Sequence, residues 1–241
     1  MFGDIRNREG ERLDTTYTPG TDGADALVVI GHGVTANKDR PWLVALAEAL
    51  GAAGIASLRV SFSGNGDSEG RFEDSTITKE VADLGSVLDR LEGRAVTYVG
   101  HSMGGAVGVL RAAADDRIRA LVSLAGMVRT RQFAERKFGD LEPGRDLMWD
   151  KPECPLSRAF VDDLTRLDHV LEAAARIRVP WLLVHGDADT VVPHGDSVDA
   201  HAASGSLPQL VTLPGVDHVF SDAGTPAMTA AVLDWLRRQA D

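Results

Sequence analysis

A serine that could act as a nucleophile lies in the middle of residues 100–104, which read Gly-His-Ser-Met-Gly. The apolar run at residues 95–99 predicts a strand before this pentapeptide, and the small residues at 105–114 predict a helix after it. Because glycine has no Cβ, the two flanking glycines let strand and helix approach closely and force a sharp turn between them. Such a turn pushes the Ser102 hydroxyl clear of the backbone, above the N-terminus of the helix. The pattern therefore predicts a nucleophilic serine.

A serine hydroxyl needs a neighbouring base to become a good nucleophile, and His218 is the predicted base. Catalytic groups of open parallel sheets gather at the carboxyl ends of the strands. His218 follows the strand predicted at residues 209–213, in a glycine-containing loop that can place the imidazole over this edge. His169, which starts a predicted helix, is the second candidate. His101 adjoins Ser102 in sequence, so its side chain is expected to point away from the hydroxyl.

The base in turn needs a carboxylate that orients it, and the segment after the strand predicted at residues 181–184 holds two. Asp187 directly follows the turn glycine and is expected to bond the backbone of that turn. Asp189 lies further along and is predicted to reach His218. The resulting chain order of serine, aspartate and histidine differs from that of the two familiar serine protease folds.

A tetrahedral intermediate formed at Ser102 would also need donors for its oxyanion. The backbone N–H of Met103, at the start of the predicted helix, is the first candidate. The second is the N–H of Val34, in the loop after the strand predicted at residues 26–30, where Gly33 allows the backbone to turn inward.

The elements that must position these residues alternate along the chain. Alternating strands and helices predict an α/β fold with a mostly parallel central sheet and helices on both faces. An N-terminal hairpin is expected from residues 5–7 and 12–17. Further strands are expected at 26–30, 55–60, 95–99, 118–125, 181–184 and 209–213, and helices at 42–53, 75–91, 105–114, 171–177, 194–203 and 225–239.

The alternation stops at residues 127–168, which are charged, dotted with aromatic residues and interrupted by prolines. We expect residues 1–241 to form a single domain in which this stretch, the cap segment, is a short insertion above the strand ends. Arg129 and Arg131, just past the strand that follows the serine turn, are candidates for contact with a polar or anionic acyl group.

Composition excludes several classes of function. The formal net charge of −11 argues against nucleic acid or an anionic membrane as a partner. The single cysteine, Cys154, rules out an internal disulfide and fits a reducing compartment, so a cytoplasmic location is expected. The first 25 residues contain no apolar block typical of a secretory leader. The sequence leaves open whether the protein is a monomer or a homodimer.

From about residue 26 onward the chain resembles the α/β-hydrolases, in particular small bacterial esterases of the cinnamoyl and feruloyl esterase and serine aminopeptidase-like group. The resemblance rests on residues 32–38, 59–70, 100–104 and 185–193. It implies an α/β-hydrolase fold, hydrolysis of a small-molecule ester through an acyl-serine, and a cap that shapes the acyl pocket. It also implies that no cofactor or metal is required.

Three alternatives to a carboxylic ester hydrolase remain open at this point. The same residues could serve a peptidase or amidase, or a thioesterase, acting on a small substrate. The scaffold could also belong to a non-catalytic ligand-binding protein, because a fold does not dictate a function.

Overall fold

A seven-stranded sheet forms the centre of the computed structural model, which describes residues 2–21, 26–91, 93–205 and 207–240. The strand order is β3-β5-β4-β6-β7-β8-β9, and every pair except the first is parallel. The strands are β1 (Ile5–Arg6), β2 (Arg12–Leu13), β3 (Thr15–Thr18), β4 (Ala26–Gly31), β5 (Ser57–Val60), β6 (Ala95–His101), β7 (Ile118–Leu124), β8 (Trp181–Gly186) and β9 (Gln209–Leu213).

Helices follow most of the strands, as the alternating pattern predicts. They are α1 (Pro41–Ala52), α2 (Ile77–Arg90), α3 (Met103–Ala112), α4 (Thr130–Phe138), α5 (Arg158–Leu167), α6 (Leu171–Ala174), α7 (His194–Ala203) and α8 (Gly224–Ala240). Two 3-10 helices cover Phe72–Asp74 and Met148–Asp150. Within the described ranges, none of the helices has the length and apolar character needed to cross a membrane. The expected α/β fold with a mostly parallel sheet is confirmed.

The N-terminal hairpin differs from its prediction in one respect. Ile5 pairs with Leu13 across β1 and β2, as expected for a hairpin. The segment predicted as one strand from residue 12 to residue 17, however, divides after Leu13. Its second half, β3, leaves the hairpin and pairs antiparallel with β5 at the edge of the central sheet.

Side chains alternate between the two faces of the sheet and build two apolar cores. In β4, Leu27 and Val29 belong to one core, whereas Val28 and Ile30 belong to the other. Helices α2 and α3 cover the first face, and α1 and α8 cover the second. Helices cover both faces of the sheet, so the strands are buried on both sides. The loops at the carboxyl ends of the parallel strands remain accessible and can hold a functional site.

The cap segment folds into α4, the second 3-10 helix and α5, between β7 and β8. Phe133, Phe138 and Phe160 are buried, and Phe138 packs edge to face against each of the other two. Apolar packing of this kind fixes the cap segment on the first face of the sheet.

Glu80 of α2 is an exception to the apolar packing of that face. Its side chain is buried, and neither carboxylate oxygen has a hydrogen-bond partner among the described residues. Burial, reinforced by the nearby carboxylates of Asp83 and Asp163, raises the pKa of Glu80 well above its ordinary value. The folded protein therefore favours the protonated form of this side chain.

Replacing Glu80 by glutamine should make the free energy of unfolding less sensitive to alkaline pH. Above the ordinary pKa of 4.5, the unfolded chain releases the Glu80 proton while the folded chain keeps it, so wild-type stability falls as pH rises. At pH 8 we expect Glu80→Gln to exceed the wild type by at least about 1 kcal/mol, and near pH 4 the two should converge. Urea denaturation at both pH values measures this difference.

The exposed Glu48 of α1 provides the control, because Glu48→Gln should leave the pH dependence unchanged. Burial also raises the pKa of Asp83. Because Asp83 is present in every protein compared, its contribution to the pH dependence of stability cancels. A constant difference between Glu80→Gln and wild type from pH 4 to pH 8 would contradict the assignment of a protonated Glu80.

Candidate active site

Ser102 occupies a strained turn between β6 and α3. Its backbone has φ 56° and ψ −119°, a conformation that residues with a Cβ rarely adopt. The turn is tight because a Cβ on Gly100 would lie 2.1 Å from the carbonyl oxygen of Gly104. The N–H of Ser102 donates to the carbonyl of Leu124 at 2.9 Å, which ties the turn to the end of β7. The predicted strand, turn and helix are therefore present around the serine.

The structure brings Ser102, His218 and Asp189 together, although they are far apart in sequence. His218 Nε2 lies 3.0 Å from Ser102 Oγ, and His218 Nδ1 lies 2.7 Å from Asp189 Oδ2. An ionised carboxylate can only accept, so Nδ1 carries the proton and donates to Asp189. In the neutral imidazole the Nε2 lone pair then faces the serine hydroxyl, which is the geometry a general base requires.

The Asp189 carboxylate is buried and surrounded by donors. Its Oδ1 accepts from the backbone N–H groups of Val191 and Val192, at 2.7 and 2.9 Å. Its Oδ2 accepts from His218 and also from His185 Nε2, at 3.1 Å. Burial alone would raise the pKa of Asp189, but the hydrogen bonds from the two imidazoles hold it well below its ordinary value. The Asp189 carboxylate is therefore ionised at neutral pH.

The two alternatives weighed from the sequence lie elsewhere. Asp187 is exposed and accepts from the N–H of Gly215 at 2.6 Å, so it holds the turn after β9 rather than, as predicted, the turn after β8 that it directly follows. His169 does not line the cavity around Ser102. It also does not start a helix, because α6 begins two residues later at Leu171.

Two further histidines support the site, and the sequence analysis gave them no such role. His185, at the end of β8, accepts from the Ser197 hydroxyl through Nδ1 at 2.7 Å, which leaves Nε2–H to donate to Asp189. His101 is buried, and its Nε2–H donates to the backbone carbonyl of His218 at 2.9 Å. Burial and the neighbouring His218 lower the pKa of His101 to about 3, so it is a neutral donor that positions the loop. The position of each histidine at the end of a strand was the only signal of such a role in the sequence. The sequence did not reveal which groups the two histidines bond.

The loop after β4 passes directly beside the serine. A Cβ on Gly33 would lie 2.7 Å from Ser102 Cβ and 3.2 Å from Ser102 Oγ. The buried His32 secures this loop, because its Nδ1–H donates to the Gly33 carbonyl and its Nε2 accepts from the N–H of Phe62. Burial lowers the pKa of His32 to about 4, which keeps the ring neutral and able to make both bonds.

The candidate oxyanion donors flank the serine. Val34 follows Gly33 and lines the same cavity as Ser102. Thr35, the next residue, has φ 54°, so the loop holds a strained conformation at this point. Met103 is the first residue of α3, and its N–H therefore has no partner within the helix. Their role as donors to an oxyanion remains a prediction.

A cavity of about 290 Å³ opens above Ser102. One wall comes from Trp42 of α1, and the cap segment contributes Trp149 and Lys151. The two arginines considered from the sequence point elsewhere. Arg129 forms an ion pair with Asp199, and Arg131 with Asp168, and neither arginine lines the cavity.

Comparisons with known proteins agree with this architecture. The model of a family described as the alpha/beta hydrolase family matches residues 27–232. The structure of Est1E from Butyrivibrio proteoclasticus with bound ferulic acid has a TM-score of 0.88 and 26% identity, over 98% of both chains. An uncharacterized protein of Mycobacterium tuberculosis is 26% identical over 220 residues, 89% of this chain and 70% of that protein. The bovine mitochondrial palmitoyl-protein thioesterase ABHD10 is 27% identical over 183 residues, 71% of this chain and 59% of that protein.

Removal of the Asp189 carboxylate should destabilise the fold more than removal of Asp187. Asp189→Ala leaves two backbone amides and two imidazoles without their acceptor, so we expect a loss of about 3 kcal/mol at pH 7. Asp187→Ala removes a single exposed acceptor and should cost about 1 kcal/mol. Chemical denaturation of both variants measures the difference.

The pH dependence supplies the internal check. Because folding lowers the pKa of Asp189, its stabilisation is complete above the ordinary value of 3.8 and disappears as pH falls below it. The gap between wild type and Asp189→Ala should therefore be constant from pH 5 to pH 8 and narrow only below about pH 4. Equal losses for the two alanine variants at pH 7 would refute the donor network.

Proposed function

The chain belongs to the alpha/beta hydrolase family, and on that premise we propose that it is a serine hydrolase that cleaves small carboxylic esters through an acyl-enzyme at Ser102. The observation that carries the proposal is the hydrogen-bonded series from Asp189 through His218 to the serine hydroxyl, with distances of 2.7 and 3.0 Å. The strained turn supports it, because it presents the hydroxyl to the cavity rather than to the backbone.

In the first step His218 Nε2 accepts the proton of the Ser102 hydroxyl while the oxygen attacks the ester carbonyl carbon. The imidazolium that forms is stabilised by the ionised Asp189 carboxylate on its other nitrogen. The carbonyl oxygen becomes an oxyanion, and the N–H groups of Val34 and Met103 are the proposed donors to it. The N-terminal end of α3 adds a favourable dipole at the same place.

The tetrahedral intermediate then collapses. His218 gives its proton to the leaving alkoxide, the carbon–oxygen bond of the ester breaks, and an alcohol departs. The acyl group remains on Ser102 until His218 accepts a proton from water, which attacks the acyl carbonyl. A second collapse releases the carboxylic acid and returns the proton to the serine.

The likeness to Est1E, whose structure holds ferulic acid, supports a small carboxylic acid as one product. The likeness to the bovine palmitoyl-protein thioesterase ABHD10 favours thioester hydrolysis as a second candidate. The same steps serve a thioester, whose thiolate leaves without much help from the His218 proton. Kinetics with an oxygen ester and a thioester of the same acyl group assign the preference.

Substitution of either reacting side chain should remove esterase activity. We expect Ser102→Ala and His218→Ala to lower kcat for a short-chain p-nitrophenyl ester by at least about 10⁴-fold, because the hydroxyl and the base act as a unit. A fluorophosphonate should label wild-type protein stoichiometrically and leave Ser102→Ala unlabelled, as mass spectrometry would show.

His169→Ala is the matched control and should retain wild-type activity, since this histidine does not line the cavity. Wild-type turnover by Ser102→Ala would exclude the acyl-enzyme. Absence of both hydrolysis and labelling in the wild type would favour the non-catalytic ligand-binding protein.

A methyl group on Gly33 should block the nucleophile without unfolding the protein. Gly33→Ala places a Cβ 2.7 Å from Ser102 Cβ, so the loop and its proposed oxyanion donor must move away. We expect kcat to fall by about 10²-fold. Gly195→Ala, in α7, is the control, because a Cβ there meets nothing within 4 Å and should leave kcat unchanged. Similar kcat values for the two variants would show that the loop does not need to approach the serine.

A further inference from the structure

A second cavity, of about 400 Å³, lies beside the one above Ser102. The two share four lining residues, which are Thr35, Ala36, Arg40 and Lys151. The second cavity is more polar, with Asn37 in its wall. A substrate bound at Ser102 can therefore extend past the shared residues into it.

The shared wall carries positive charge that no carboxylate of the described residues pairs with. Among the described residues, no Asp or Glu oxygen lies within 4.0 Å of the charged nitrogens of Arg40 or Lys151. Arg40 uses one guanidinium nitrogen to donate to the Thr35 carbonyl and keeps its other donors. Glu153, the one acidic side chain that the described residues contribute to either cavity wall, is exposed and pairs with neither cation.

Other cationic side chains near Arg40 and Lys151 do form ion pairs with carboxylates. Lys38 and Arg59 lie close by in the fold, and both form ion pairs with Asp39. Arg129 is also paired, as described above. The chain has a net charge of −11, yet Arg40 and Lys151 have no carboxylate partner within the described ranges, so this cavity wall is electrostatically favourable for an added anion.

The backbone before Lys151 is held in a strained turn. Trp149 and Asp150 have φ 49° and 55°, in the left-handed region that side chains with a Cβ rarely occupy. Hydrogen bonds between the backbones of Met148, Lys151 and Cys154 close the turn. Strain of this kind persists only where the surroundings hold it, and here it places the half-buried Lys151 on the cavity wall.

We propose that Arg40 and Lys151 bind an anionic group of the substrate, so that the preferred substrates are esters carrying a carboxylate or a phosphate beyond the scissile bond. This proposal rests on the proposed ester hydrolysis at Ser102. The anion accepts charge-assisted hydrogen bonds from the ammonium and the free guanidinium donors. A neutral substrate of the same shape forms no such bonds.

The test compares kcat/KM for matched pairs of p-nitrophenyl esters. In the first pair the acyl chain ends in a carboxylate or in its methyl ester (mono-p-nitrophenyl adipate and methyl p-nitrophenyl adipate). In the second it ends in a phosphate or its dimethyl ester, and in a third the carboxylate lies in the alcohol half. The anion preference is the ratio of kcat/KM within a pair, which cancels any general loss of activity.

Lys151→Gln should lower the anion preference by about tenfold in at least one pair, and Lys151→Glu should lower it further. Lys151→Arg should preserve it. Arg158→Gln, which removes an exposed cap cation outside both cavity walls, should leave the ratio at its wild-type value. The pair whose anion preference changes most shows whether the bound group is a carboxylate or a phosphate. It also shows whether the acyl half or the alcohol half of the ester carries that group. Added salt should reduce the wild-type preference.

Each outcome is decisive. Hydrolysis with the same ratio in wild type, Lys151→Gln and Lys151→Glu for every pair overturns the anion site and leaves the proposed esterase intact. No hydrolysis of any ester by the wild type overturns the proposed function instead. Binding to Ser102→Ala then tests the anion site by itself, measured by the change in tryptophan fluorescence, to which Trp42 and Trp149 in the cavity wall contribute. Equal affinity for the charged and neutral members of each pair would overturn it there as well.

Discussion

The site depends above all on the buried, ionised carboxylate of Asp189. A carboxylate without water is stable only when its oxygens accept several hydrogen bonds, and Asp189 accepts from two backbone amides and two imidazoles. This demand orders the turn after β8 and orients His218. Because the carboxylate can only accept, it sets which nitrogen of His218 carries the proton and which faces Ser102.

Neutral, buried histidines complete the framework around the reacting groups. His101 holds the backbone of the loop that carries His218, and His32 holds the loop that passes beside Ser102. Burial lowers the pKa of both rings, so they are neutral at neutral pH and can keep these hydrogen bonds. Loops from four parallel strands are thereby fixed to one edge of the sheet, while the cap segment contributes Trp149 and Lys151 to the wall of the cavity above Ser102.

Periodicity and turn chemistry predicted most of this architecture correctly. The strand, glycine turn and helix around Ser102 have local causes, so they could be identified from neighbouring residues. Turn chemistry separated Asp187 from Asp189 but predicted the wrong partner, because Asp187 accepts from Gly215 in the turn after β9 and not from the backbone of the turn that it follows. The division of residues 12–17 into β2 and β3 could not be predicted, because β3 exists through its pairing with β5 about forty residues away.

The sequence by itself determined the fold class, the strained serine turn, and the positions of His218 and Asp189 after two strands that end at the same edge of the sheet. These features depend on short-range patterns and on the rule that parallel strands end at a common edge. Only the tertiary structure decided which histidines support Asp189 and His218, that Arg129 and Arg131 are paired away from the cavity, and that Arg40 and Lys151 share its wall. Those relations join side chains that are distant in the chain, and their energies depend on burial and on the partners present, which a linear pattern does not specify.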